Sequence, residues 1–125
     1  TVPVIGNDNP TALPIVEIFT GDEFYSIKTK YEPASLHHVI PARLEPAVYA
    51  RAQELAIKAH NALGCRGVSR SDFIVTEDGE PVVLETNTIP GMTARSLLPD
   101  SARTGGIDFP ELCTRFIEFA LEDRQ

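Results

Sequence analysis

The sequence has no tryptophan, only two cysteines and a single methionine. No apolar run approaches the ~20 residues that a membrane-spanning helix requires, and no signal peptide is visible. The cysteines, Cys65 and Cys113, are too few for a disulfide framework. A Gly-rich phosphate loop of the Walker type and the dinucleotide-binding fingerprint are also missing. A nucleotide, if bound, must therefore be held in another way, and we expect a cytoplasmic protein without membrane contact.

Positive charge is also scarce, with 11 Lys and Arg against 18 Asp and Glu, a net charge of −7. This balance argues against nucleic acid as a partner. A cation and a few local Lys or Arg side chains would still allow the protein to bind a nucleotide. At 125 residues with 42% hydrophobic content, the chain is long enough to bury one core.

The pattern of apolar residues and turn signals predicts an α+β fold, an antiparallel sheet with flanking helices. The sequence begins at Thr1 within what reads as a strand already under way, so we expect it to be part of a longer protein. We predict strands near 2–5, 12–19 and 22–31, helices over 46–63, 97–104 and 109–122, and a hairpin over 69–87.

The hairpin is the most informative segment. Asp78–Gly79 is typical of a two-residue type I′ turn, which would set the register of both strands. The opposed pairs would then be Arg70 with Asn87, Asp72 with Glu85, Phe73 with Leu84, Ile74 with Val83, and Val75 with Val82. Side chains alternate along a strand, so Arg70, Asp72, Glu85 and Asn87 should project from one face.

Two carboxylates directly opposed across a ladder repel each other. A hard cation such as Mg²⁺ would remove this repulsion, since it binds carboxylate and amide oxygens together with phosphate and water. Arg70 beside the pair would offer a planar set of donors to an oxyanion. The alternative is an internal ion-pair network of Arg70 with Asp72 and Glu85 that holds the hairpin together.

Several motifs occur in a fixed order along the chain. They are Leu63–Gly64–Cys65–Arg66–Gly67, Arg70–Ser71–Asp72, Leu84–Glu85–Thr86–Asn87–Thr88–Ile89–Pro90–Gly91–Met92–Thr93, and Ser96–Leu97–Leu98–Pro99. With Phe24–Tyr25 and Lys30–Tyr31 upstream, they resemble the C-terminal part of the D-alanine–D-alanine ligases, members of the ATP-grasp superfamily. The resemblance implies that residues 1–125 form the C-terminal part of the ATP-grasp domain. The N-terminal domain and much of the central domain would lie outside this chain.

The resemblance also implies a reaction and its residues. ATP would phosphorylate one D-alanine, and the amine of a second D-alanine would displace phosphate to give the dipeptide of peptidoglycan. Mg²⁺ or Mn²⁺ would be held by Asp72, Glu85 and Asn87, while Arg70 and the amide of Gly91 would stabilise the oxyanion. The remaining contacts implied are Ser96 and Leu97 with the second D-alanine, Lys30 with phosphate or substrate, Tyr31 with substrate, Asn87 with the nucleotide, and Phe24 and Leu84 around the adenine.

Other functions remain open at this point. A D-alanine–D-lactate or D-alanine–D-serine ligase would share these motifs, although Tyr31 favours D-alanine. Another ATP-grasp carboxylate–amine ligase would keep the cation site without needing Ser96–Leu97. A non-catalytic interaction domain with a structural ion-pair cluster is the alternative from a different class. We expect the complete protein to be a homodimer and the isolated piece to lack ligase activity. Ser96 is also a candidate N-cap for the helix that follows it.

Overall fold

In the computed structural model, residues 1–19 and 38–122 are described. Within these ranges, a four-stranded antiparallel sheet has the order β2-β1-β5-β6, and β3 pairs with β4 in a separate two-stranded sheet. The α+β prediction, an antiparallel sheet with flanking helices, is confirmed. The elements are β1 (Val2–Ile5), β2 (Thr11–Ala12), β3 (Glu17–Ile18), β4 (His38–Val39), α1 (Pro46–Ala62), β5 (Val68–Val75), β6 (Pro81–Asn87), α2 (Leu97–Thr104) and α3 (Phe109–Glu122).

The four-stranded sheet lies between helices on its two faces. Val2 and Val4 of β1 pack with Ala52 and Ala56 of α1 in one buried cluster. Ile5 belongs to a second cluster, which contains Leu98 and Ala102 of α2 and Leu112 of α3. Because neighbouring strand residues point to opposite faces, one strand serves both clusters. The face that carries Ile5 and its partner Val68 therefore looks toward α2 and α3.

The long helices begin and end close to the predicted residues, for local reasons. Pro46 occupies the first turn of α1, where its missing N–H costs no hydrogen bond. Gly64 follows the end of this helix with φ +66° and donates its N–H to the Asn61 carbonyl. At α3, the carboxylate of Asp108 accepts the Glu111 N–H at 2.9 Å, as expected for an N-cap.

The prediction of one strand over 12–19 is wrong. β2 and β3 are two short strands that belong to different sheets. Pro14 between them has no N–H to donate to a ladder. The residues on either side of Pro14 make single hydrogen bonds outside a strand ladder. The Leu13 N–H donates to the Pro3 carbonyl, and the Ile15 N–H donates to the Tyr49 hydroxyl. The strand predicted over 22–31 lies outside the described residues.

The predicted turn of the hairpin is also wrong. A type I′ turn needs positive φ at both central residues, and no described residue other than glycine has positive φ. The loop contains three residues, Glu77–Asp78–Gly79, with only Gly79 left-handed at φ +81°. The Gly79 N–H donates to the Thr76 carbonyl at 2.9 Å, and the Thr76 N–H donates to the Glu80 carbonyl at 3.0 Å. The longer loop shifts the register beside it by one residue.

A β-bulge reverses this shift farther along the hairpin. Phe73 pairs with Val83, Ile74 with Val82 and Val75 with Pro81, so the three pairs predicted beside the turn are wrong. Leu84 is the extra residue of β6, and beyond it the predicted pairs return. Because a one-residue shift exchanges faces, Val83 lies on the face of Phe73 and Val82 on the face of Ile74.

We expect Gly79→Ala to lower the free energy of unfolding by about 1–2 kcal/mol, because an L-residue is strained at φ +81°. A Cβ there would also lie 3.3 Å from Val48 Cγ2. Urea unfolding would measure the loss. Glu77→Ala, in the same loop and exposed, is the control and should change stability by less than about 0.5 kcal/mol. A Gly79 variant as stable as this control would contradict the left-handed conformation.

His60 is a fully buried polar residue between α1 and the sheet. Its Nδ1 lies 2.8 Å from the Ser69 hydroxyl, and its Nε2 has no hydrogen-bond partner in the part of the chain that is described. Burial disfavours the charged imidazolium and lowers the pKa of His60 below its ordinary value.

This lowered pKa predicts a pH dependence of stability. As pH falls below about 6.5, the unfolded state binds a proton on His60 before the folded state does. The stability associated with neutral His60 is therefore complete above that pH and is lost as pH falls toward the folded pKa. NMR titration of the ring protons should give a pKa below 6.5 for the signal that disappears in His60→Gln. A pKa at or above that of an unfolded-state histidine would contradict the prediction.

Candidate functional site

The polar residues of the hairpin meet as predicted. Arg70 of β5 pairs with Asn87 of β6, and Asp72 pairs with Glu85. Directly opposed residues share a face, so the four side chains project from the side of the sheet that looks toward α2 and α3. The Arg70 and Asp72 side chains are 20% and 32% exposed, whereas Glu85 across the ladder is exposed. The cluster is therefore half-buried on β5 and open to solvent at Glu85.

The charges within this cluster are only partly neutralised by one another. Arg70 Nε lies 3.4 Å from Asp72 Oδ1, and the Thr1 hydroxyl donates to the same Asp72 oxygen at 2.5 Å. Arg70 Nε is buried and has no hydrogen-bond partner among residues 1–19 and 38–122. Over the same ranges Glu85 makes no ion pair. Among the described residues, the ion-pair alternative therefore accounts for Asp72 but offers no ion-pair partner for Glu85.

The donor set fits a hard cation. Two carboxylates stand opposite each other, and the Asn87 amide oxygen lies one pair farther along the ladder. That oxygen accepts the Ile89 N–H at 2.9 Å and keeps a second lone pair. No group of three or more His, Cys, Asp or Glu suited to a metal ion occurs in the described ranges. Mg²⁺ and Mn²⁺ also accept oxygen ligands from phosphate and water, so a site for them needs only a few oxygen ligands from the protein.

The loop after β6 brings Gly91 against Ser96. A Cβ built on Gly91 would lie 2.7 Å from the Ser96 hydroxyl oxygen, so only glycine leaves room for this contact. Ser96 stands at the N-cap position of α2, but its side chain makes no capping hydrogen bond. The hydroxyl instead lies 2.9 Å from the Thr93 backbone N and 2.8 Å from the Thr93 hydroxyl. Ser96 therefore occupies the N-cap position of α2, but its hydroxyl does not cap the helix.

The other residues implied by the resemblance are distributed as follows. Leu97 is the first residue of α2, directly after Ser96. Leu84, implied to contact adenine, is 59% exposed at the bulge. Phe24, Lys30 and Tyr31 lie outside the described residues. Two further polar contacts were not anticipated, that of Thr1 with Asp72 and that of Thr93 with Ser96. For Thr93, its position three residues before a serine at a helix start was the available signal.

A concavity of about 540 Å³ lies at the Ile5 end of β1, beside Asn7 and the last turns of α3. Asn7 uses its polar atoms on the protein itself. Its Nδ2 donates to the Phe119 carbonyl and the Glu122 carboxylate, and its Oδ1 accepts the Gly67 N–H. Asp72 instead lies at the Val2 end of β1, since Val2 pairs with its neighbour Ser71. This concavity is therefore separate from the polar cluster.

Residues 1–118 match the family model described as the D-ala D-ala ligase C-terminus. The chain therefore belongs to the family of D-alanine–D-alanine ligase C-terminal domains. The D-alanine–D-alanine ligase of Syntrophobacter fumaroxidans is 52% identical over 122 residues, which cover 96% of this chain and 39% of that protein. The chain spans about one third to two fifths of the length of the curated relatives it matches, 33–40% of each.

Solved structures agree with this assignment. The D-alanine–D-alanine ligase from Bacillus anthracis complexed with ATP superposes with a TM-score of 0.76 at 31% identity, over 98% of this chain and 38% of that one. The VanG D-Ala:D-Ser ligase from Enterococcus faecalis gives 0.73 at 31% identity, over 94% of this chain and 34% of that one. No helix in the described ranges is long and apolar enough to cross a membrane.

Proposed function

We propose that residues 1–125 are the C-terminal catalytic part of a longer ATP-dependent ligase of the ATP-grasp class, which joins two D-alanines through an acyl phosphate. The opposed carboxylates of Asp72 and Glu85, beside the buried Nε of Arg70, carry this proposal. The family assignment and the ATP complex of the Bacillus anthracis relative support it. The isolated piece would be inactive, since it would hold only one side of the site.

The acidic side of the cluster would bind the nucleotide phosphates through a cation. Asp72, Glu85 and Asn87 would be the ligands, and Asn87 would in this way also contribute to nucleotide binding. Mg²⁺ or Mn²⁺ bound there would offset the negative charge of ATP and polarise the phosphoryl oxygens. Because the hairpin ladder fixes the opposed pair, the ligands need little reorganisation to bind.

Arg70 and the Gly91 amide would stabilise the developing oxyanion. A donor of this kind contributes about 3–4 kcal/mol in other enzymes, because it is already aimed at the place where charge develops. Arg70 fits this role because its Nε is desolvated without a hydrogen-bond partner in the described part of the chain. The first step transfers the γ-phosphoryl group to a D-alanine carboxylate, and in the second the amine of the other D-alanine displaces phosphate.

The remaining contacts would position the substrates. Ser96 and the Leu97 amide would hold the carboxylate of the second D-alanine at the start of α2, where helical N–H groups favour an anion. Leu84, exposed at the bulge, would cover one face of the adenine and Phe24 the other. Lys30 would contact phosphate or a substrate carboxylate, and Tyr31 would contact substrate.

A D-alanine–D-serine ligase is the second candidate, because the VanG structure superposes nearly as well as the Bacillus anthracis one. We favour D-alanine as acceptor because relatives at 45–52% identity carry the D-alanine–D-alanine ligase name, against 31% for VanG. D-lactate ligation and other carboxylate–amine ligations would change only the acceptor end. A homodimer, a cytoplasmic location and the absence of nucleic-acid and membrane partners stay predictions.

In the complete enzyme, we expect Asp72→Asn and Glu85→Gln each to abolish D-alanine-dependent phosphate release. Each change removes a ligand charge without appreciably changing volume. The non-catalytic alternative, an ion-pair network of Arg70 with Asp72 and Glu85, predicts lost stability instead, and among the described residues the pair with Asp72 is present. Phosphate release and thermal unfolding should be measured on the same samples, with the exposed Glu77→Gln as the charge-matched control. Near-normal turnover of either site variant in Mg²⁺ would overturn the cation assignment.

We expect Ser96→Ala to raise the KM for the second D-alanine by about 10- to 150-fold, the cost of one hydrogen bond to a charged group. The KM for ATP should hardly move, because the nucleotide lies across the cation from this end. Initial-rate kinetics with each substrate varied in turn would measure both constants. An unchanged D-alanine KM would remove Ser96 from the site, and D-serine tested as acceptor would separate the two candidate ligases.

A further inference from the structure

Within the described part of the chain, the hydrogen bonds of the Ser96 hydroxyl all involve one residue, Thr93. The Thr93 N–H donates to Ser96 Oγ at 2.9 Å, and the two hydroxyl oxygens lie 2.8 Å apart. The Ser96 N–H in turn donates to the Thr93 carbonyl at 3.0 Å. Thr93 Oγ1 also accepts the Arg95 N–H at 3.3 Å. Thr93 therefore contacts Ser96 through its backbone and through its side chain.

The donors and acceptors of the Thr93 and Ser96 hydroxyl groups can be counted. A hydroxyl has one hydrogen to donate and two lone pairs that accept. If the Thr93 hydroxyl donates to Ser96, both lone pairs of Ser96 Oγ are filled, one by the Thr93 N–H and one by its hydroxyl. The only capacity left on Ser96 is then its own hydrogen, which can be donated to an acceptor. An anion that accepts the Ser96 hydrogen strengthens the whole series of hydrogen bonds, because each hydrogen bond polarises the next.

Gly91 leaves the room in which the Ser96 hydroxyl lies. The space next to Ser96 Oγ is the space that a Cβ on Gly91 would fill, at 2.7 Å. Met92 between them packs against the buried cluster of α2 and α3, which ties the loop to the core. The hydroxyl is thus held in place before any substrate arrives, and preorganisation of this kind lowers the entropy cost of binding.

We propose that Thr93 is a positioning residue that makes the Ser96 hydroxyl a dedicated hydrogen-bond donor to the carboxylate of the acceptor amino acid. The inference rests on the proposed function, since it takes that carboxylate to lie at Ser96. It adds a residue that does not touch substrate and acts only through Ser96. A carboxylate accepts hydrogen bonds and donates none, so a hydroxyl that can only donate matches the carboxylate of the acceptor amino acid.

The test is a set of variants of the complete enzyme. Thr93→Val removes the hydroxyl but keeps the β-branched shape and the backbone N–H. We expect it to raise the KM for the acceptor D-alanine by about 2- to 12-fold, the loss of one neutral hydrogen bond. The kcat and the KM for ATP should stay within about twofold. Thr93→Ser restores the hydroxyl and should restore the KM.

Two further variants separate positioning from general damage. Thr93→Val combined with Ser96→Ala should be no worse than Ser96→Ala alone, because Thr93 acts only through Ser96. Thr114→Val removes an exposed hydroxyl that donates to the Pro110 carbonyl within α3, and it is the matched control, with no change expected in either KM. Thermal unfolding of all variants shows whether the start of α2 is intact.

The outcomes separate this inference from the proposed function. A normal acceptor KM in Thr93→Val together with a raised one in Ser96→Ala overturns the role of Thr93 and leaves the ligase assignment intact. An equal rise in the KM for ATP, or a failure of Thr93→Ser to rescue, overturns it as well. If the complete wild-type enzyme forms no dipeptide, the proposed function fails and this inference fails with it.

Discussion

The pairing of β5 with β6 is the interaction on which the rest of the structure depends. It sets Asp72 opposite Glu85, and it does so only because two departures from regular pairing cancel. The three-residue loop ending in Gly79 moves the register by one residue, and the bulge at Leu84 moves it back. If only one of these were present, the Glu85 side chain would lie on the opposite face, against α1. The placement of Asp72 and Glu85 on one face thus depends on the length of the loop as well as on the two residues themselves.

Much of the fold could be predicted from the sequence because local signals and packing agree. Pro46, Gly64 and Asp108 mark helix ends by their own chemistry, and the structure places the helices there. The pairing of Asp72 with Glu85 was predicted from a turn that does not exist. The predicted pair is correct because the bulge offsets the register shift of the loop. No residue around Leu84 indicates a bulge in the sequence. Pro14 in the segment 12–19 was a visible signal that should have divided the predicted strand.

The candidate site was harder to predict than the fold because hydroxyl contacts depend on three-dimensional detail. Polar side chains at alternate positions of one strand can be found by counting, as with Arg70 and Asp72 on β5. The contact of Thr93 with Ser96 depends instead on how the loop closes over Gly91, which no periodicity encodes. The buried Arg70 Nε likewise becomes visible only once burial is known. The residues of both halves of the site, hairpin and loop, could therefore be named from the sequence, but the hydroxyl contacts of the loop half could not.

The bulge at Leu84 has a further consequence for how these molecules behave beside one another. β6 ends the described order of the four-stranded sheet, and its Val82, Val83 and Leu84 are exposed. A long, regular and apolar edge strand is a template on which another chain can form a strand and start an aggregate. The extra residue interrupts that template in the middle, leaving three strand residues on either side of it, and the carboxylate of Glu85 follows directly. The irregularity that aligns the ligands thus also discourages edge-to-edge association in solution.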